Sequence, residues 1–192
     1  MWFTQRLGIA TLLALGACSD SDVIGVYINL AESRSGSITT HSLGVPKIAG
    51  PAETEIKAVS WGQRANLFSS AGTFQDISNL RIGEVRFDVQ GTHLKVILPR
   101  GPEVRWYRSF APSAIEQEQA ALTFDPTGKA KNVGTIVKFE VNVPGTILSS
   151  GVFPQGIRNV SAEHAKANAT LWVPLRAMRE NGDELIWSVA WK

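Results

Sequence analysis

The sequence predicts an all-β fold: an antiparallel, immunoglobulin-like sandwich carrying one or two short helices. Three observations lead to it. Apolar and polar residues alternate strictly over residues 84–89 and 135–143. Gly, Pro and Asn turn signals divide the chain at irregular spacings of roughly 8–12 residues. Helical patterning is confined to two short stretches, too sparse for alternating βα units. A closed, lipocalin-like barrel is the alternative that the same set of strands permits.

The elements follow in chain order. Residues 23–30 (VIGVYINL) are rich in β-branched and aromatic side chains and read as a first strand. Residues 31–54 are rich in Ser, Thr, Gly and Pro and read as a flexible loop, with one short strand over 37–43. Residues 56–61 form a possible strand. Val85, Phe87 and Val89 then share one face, opposite Glu84, Arg86 and Asp88. After Gln90-Gly91-Thr92, the residues Leu94, Val96 and Leu98 resume the apolar face, which is a hairpin signature. Residues 104–108 read as another strand. Val137, Phe139, Val141 and Val143 alternate with Ile136, Lys138, Glu140 and Asn142. In residues 170–178, Leu171, Val173 and Leu175 share a face, and Pro174 inside that run points to an edge or bulged strand. The last strand puts Leu185, Trp187, Val189 and Trp191 together, so both tryptophans belong to the core. Ser113-Ala114-Ile115-Glu116 has the spacing of a capping box and opens a helix over 113–122. Residues 161–167 read as a second, two-turn helix.

Composition narrows the function classes. Of 192 residues, 44% are apolar and 19% charged, with 19 basic against 17 acidic side chains and a formal charge of +2. So apolar a chain is not disordered, and so small a charge supplies no general field for nucleic acid. One cysteine permits neither an internal disulfide nor a multi-cysteine zinc site.

That cysteine ends a distinctive N-terminus. Arg6 and the terminal amine form a short positive region. The apolar run at 7–15 (LGIATLLAL) then falls well short of the roughly 20 residues needed to span a bilayer, which suits a secretory signal peptide. The run closes in Leu15-Gly16-Ala17-Cys18, which resembles the lipobox of bacterial lipoprotein precursors. The resemblance covers residues 1–20 alone. It implies cleavage before Cys18 and acylation of its thiol and new amine, with two or more chains giving stable anchoring. It also implies the outer membrane, because Ser19 and not an acidic residue follows Cys18, although Asp20 comes next. Residues 1–17 are thus expected to be a signal peptide, 18–22 a lipidated tether, and 23–192 one sandwich domain.

Catalytic spacing is absent from the sequence. There is no G-x-S-x-G elbow, H-E-x-x-H pair, P-loop or G-x-G-x-x-G. His41, His93 and His164 lie far apart. No residue is assigned to catalysis, a metal or a cofactor. One stretch stands above the background: Arg81, Arg86, Arg105, Trp106, Tyr107 and Arg108 combine forked donors with aromatic faces. Such a set suits an anionic glycan, a lipid headgroup or an acidic protein. It also fits an ordinary strand face balanced by Glu84, Asp88 and Glu103. Trp172, beside Pro174 on the expected edge strand, is a candidate docking point for another chain.

The leading expectation is therefore a non-enzymatic module, held to the membrane by its lipid. It would bind an envelope protein or glycan, on the periplasmic face or at the cell surface, and no nucleic acid. An envelope hydrolase or carbohydrate-active enzyme is the alternative, and would gather Glu103, Arg105, Tyr107 and a histidine in one cleft. A carrier of small apolar ligands is a second alternative and requires a hollow barrel.

Overall fold

The computed structural model describes residues 24–50, 53–60, 66–110 and 135–192, with backbone alone at 53–60, 66 and 67. The expected signal peptide, Cys18 and its tether, Trp61 and the helix over 113–122 lie outside the described residues.

Thirteen strands are described: β1 (Gly25–Leu30), β2 (Gly36–Ser42), β3 (Ile48–Ala49), β4 (Glu53–Ser60), β5 (Asn66–Phe74), β6 (Arg81–Ile82), β7 (Val85–Gln90), β8 (His93–Leu98), β9 (Ile136–Asn142), β10 (Ile147–Phe153), β11 (Ser161–Ala165), β12 (Asn168–Pro174) and β13 (Leu185–Trp191). Two short α-helices, α1 (Trp106–Phe110) and α2 (Leu175–Arg179), and a 3-10 turn at Ile77–Asn79 are described with them. The strands form two open sheets, one ordered β11-β12-β9-β1-β2-β5-β4 and the other β10-β13-β8-β7-β6-β3. This is an all-β sandwich and not a closed barrel. Every described ladder is antiparallel except one: β1 runs parallel to β9, with Ile28 opposite Val141.

Alternation builds the core. In β7 the inward Val85, Phe87 and Val89 are buried while Arg86 is exposed. Phe87 pairs across the sheet with Val96, and Val96 with Trp187, so one row of apolar side chains crosses three strands. In the other sheet Val26, Phe139 and Leu171 make the matching row, and all three are buried. Burying two such rows against each other removes apolar area from water, the main term stabilising a sandwich. The described core runs from Ile24 to Trp191, so a chain that begins at residue 18 carries all of it.

Four expectations change. The short strand expected over 37–43 is β2, with Ile38, Thr40 and Ser42 turned inward, but the loop expected around it also holds β3 and the first residues of β4. Residues 161–165 are a strand, not a helix: pairing with Asn168–Trp172 of β12 overrides the helical preference of Ala and Glu. The strand expected over 104–108 gives way to α1, which buries Trp106, Tyr107 and Phe110. Finally, β12 is an interior strand flanked by β11 and β9. Pro174 is tolerated there because it is the last residue of the strand and leads directly into α2.

The two ends of the sandwich differ. At one end β1 begins and β2 finishes, with Gly25 opposite His41, and α1 packs across the opening. At the other end an asparagine ladder closes the sheet. Asn142 Nδ2 donates to Asn29 Oδ1 at 2.9 Å, and Asn168 Nδ2 donates to Asn142 Oδ1 at 3.0 Å.

Candidate functional site

The end at which β1 begins carries an open cleft of about 520 Å³. Its walls come from three places in the sequence: the segment after β2, the β6–β7 turn and the first turn of α1. Backbone contacts set these distances. Leu43 N–H donates to Phe110 O at 2.8 Å and Gly44 N–H to Ser109 O at 2.9 Å, which ties the end of β2 to α1. A Cβ on Gly44 would lie 2.8 Å from Ser109 O, so the approach requires glycine. Lys47 O accepts from Gly83 N–H at 2.7 Å, and Ile48 and Ala49 pair with Ile82 and Arg81.

Trp106 forms the floor. Its indole N–H donates to Pro99 O at 3.0 Å, and its ring meets those of Tyr107, Phe110 and Phe139 edge-on at 5.9–6.1 Å. Val45 and Ile48 extend the apolar lining, and Val45 is 50% exposed. Lys47, Arg81 and Arg105 supply positive charge against one carboxylate, Glu84. Arg81 Nη1 donates to Ser78 O and Leu80 O, both at 2.7 Å, which fixes its guanidinium plane. Glu84 Oε1 accepts from Arg105 N–H at 3.2 Å. Among the described residues no carboxylate forms an ion pair with Lys47, Arg81 or Arg105. The arrangement suits a ligand with an anionic group and an apolar part.

The residues singled out in the sequence thus separate. Arg81, Arg105 and Trp106 converge on the cleft. Arg86 points outward and pairs with Glu184 at 2.6 Å, an exposed contact of small energetic weight. Tyr107 is buried with the Arg179 guanidinium 5.8 Å from its ring centre. With Arg108, Pro102 and Arg179 it lines a separate pocket of about 310 Å³. Trp172 lies on the outer face of the first sheet beneath Lys138 Nζ, 5.1 Å from its ring centre, and its strand offers no free edge.

Arg105 and Tyr107 therefore line different pockets, and no histidine lines either. His93 meets the Ser188 hydroxyl on the second sheet, and His164 is exposed on β11. Among the described residues no group of three or more His, Cys, Asp or Glu is placed to hold a metal ion, and no helix is long and apolar enough to cross a membrane.

His41, near the end of β2, is half-buried with its ring 5.4 Å from that of Tyr27. Burial holds its imidazole below the usual 6.5. The unfolded chain therefore takes up this proton more readily than the folded one. The contribution to stability is complete above 6.5 and is lost as pH falls below it. Thermal melts at about pH 7.5 and about pH 5.5 are expected to show that loss, and His41→Gln to reduce it. An identical pH dependence in the variant would place the effect elsewhere.

Lys47, Val45 and Ile48 are site residues that sequence reasoning missed. They sit in a segment read as loop, and only the short β3–β6 pairing brings them to Arg81. No protein family and no curated protein matches the chain. Among solved structures it is similar to a mutant M1 zinc metallopeptidase bound to a Tyr-Ser-Ala substrate, from Deinococcus radiodurans. The two share 13% identity with a TM-score of 0.27, over 88% of this chain and 42% of the other. The chain spans less than half of that protein, and a likeness at this score carries no argument about fold or activity.

Proposed function

We propose that this chain is an envelope lipoprotein, anchored at the bacterial outer membrane through Cys18, whose sandwich is a non-enzymatic module that binds an envelope component. The observation that carries the binding role is the cleft. It combines an apolar floor with three basic side chains that face the single carboxylate Glu84 and form no ion pair among the described residues. The sandwich interior is a poor place for a ligand, since Trp106, Trp187, Phe110 and Phe139 fill it. The anchor rests on the lipobox-like Leu15-Gly16-Ala17-Cys18 and its position after the apolar run.

Fractionation of cells tests the anchor. The parent protein is expected in the membrane fraction and to incorporate labelled palmitate. Cys18→Ser is expected to lose the label and accumulate as an uncleaved precursor. Should the variant take up label and fractionate as the parent does, Cys18 is not the acyl acceptor. The binding role is tested by cross-linking the mature chain within its own envelope. Recovery of the uncross-linked chain alone would count against a binding module.

A further inference from the structure

We infer that the cleft holds the anionic headgroup of a membrane lipid, so that the sandwich end from which β1 starts faces the bilayer. This rests on the lipid-anchor reading for its setting, and on three structural observations for its chemistry.

The first is position. His41 pairs with Gly25, and the cleft lining begins four residues later at Val45. The stretch from Cys18 to Gly25 spans at most about 25 Å when fully extended. An acyl group on Cys18 therefore holds Gly25, at the end of the sandwich that carries the cleft, within about 25 Å of the lipid surface. The second is charge. Lys47 and Arg105 are exposed beside the fixed Arg81 guanidinium, and a phosphodiester offers the oxygen acceptors that such donors fork onto. Basic side chains near an anionic leaflet attract it over about a Debye length. The third is the lining. Val45, Ile48 and Trp106 give the cleft an apolar part, which suits the glycerol and upper acyl carbons of a lipid better than a free inorganic anion. An acidic protein segment is the competing occupant. It would need no apolar floor and has no reason to approach from the tethered end.

The test uses the mature chain, beginning at residue 18 with Cys18→Ser, so that no acyl group contributes. Binding is measured by co-sedimentation with vesicles of phosphatidylglycerol mixed with phosphatidylcholine, and with phosphatidylcholine alone. The chain is expected to bind the anionic vesicles selectively. The pair Lys47→Glu with Arg105→Glu is expected to weaken binding at least about tenfold. The pair Lys166→Glu with Lys192→Glu, at the opposite end, is expected to leave it unchanged. Both substituted cleft residues are exposed, and circular dichroism verifies folding. If the reversal pair were misfolded, Lys47→Gln with Arg105→Gln replaces it, with a smaller loss expected.

No binding to anionic vesicles, or equal loss from both pairs, overturns the proposal. Shifts in cleft resonances with glycerol phosphate, without vesicle binding, would identify a free-anion site and also overturn it. Vesicle binding abolished by an acidic peptide that survives Lys47→Glu with Arg105→Glu would place the lipid contact outside the cleft. Because the assay uses unacylated protein, failure of the Cys18 anchor in cells and failure of the cleft are read separately.

Discussion

Replacing Trp106 with alanine is expected to destabilise the protein by about 3–5 kcal/mol, and to remove the cleft floor in the molecules that still fold. Trp106 is 2% exposed and belongs to a helix of only five residues. So short a helix has little stability of its own. It is held by what its side chains bury, and Trp106 meets three other rings. Its ring meets those of Phe110 and Tyr107 on α1 and Phe139 in the first sheet. A Cβ on Gly83 would lie 3.0 Å from its own Cβ, so the β6–β7 turn leans directly on it. Truncation leaves a large void, and it also leaves Pro99 O without the indole N–H. Denaturant unfolding followed by circular dichroism measures the loss, which corresponds to a fall in Tm of roughly 6–20 °C. Trp106→Phe keeps most of the ring contact and is expected to recover over half of the loss. A cost below about 1 kcal/mol for the alanine variant would show that α1 is held some other way.

How much of this was legible depends on which force set each element. Strands whose two faces meet different solvents were plain from alternation: β7, β8, β9 and β13 carry buried residues at every second position. β10 was hidden, because Ser149, Ser150 and Gly151 interrupt the pattern while Leu148 and Phe153 lie exposed. β11 was misread for a related reason. Ser161-Ala162-Glu163-His164-Ala165 has the local preference of a helix, and only pairing with the β12 backbone across a tight hairpin makes it a strand. The parallel β1–β9 ladder joins segments more than a hundred residues apart, which no turn signal encodes.

The site divides in the same way. Arg81, Arg105 and Trp106 stood out because arginine and tryptophan are distinctive residue types. The same criterion drew in Arg86, Tyr107, Arg108 and Trp172, which the fold sends to an ion pair, a second pocket and an outer face. Residue type marks chemical capacity. The pairing of the two-residue strands β3 and β6, and the bonds that tie the end of β2 to α1, decide which capacities meet.

Trp187→Ala is expected to be as costly as Trp106→Ala in stability, about 3–5 kcal/mol, yet to leave the cleft intact. Trp187 is fully buried in an interior strand of the second sheet, opposite Val152 on β10 and Val96 on β8. Its indole N–H donates to Ser150 Oγ at 2.9 Å. Truncation thus opens a void between the sheets and removes a link to the edge strand β10, but takes nothing from the lining of the cleft. The two tryptophans form a controlled pair. Measured well below both melting temperatures, and corrected for the folded fraction, Trp187→Ala is expected to bind anionic vesicles as the parent does. Trp106→Ala is expected to bind them less well. Equal weakening by both variants would mean that vesicle binding follows global stability, and the cleft would then have no special claim to the lipid. A loss confined to Trp106→Ala ties recognition to the cleft that Trp106 floors beside Lys47 and Arg105.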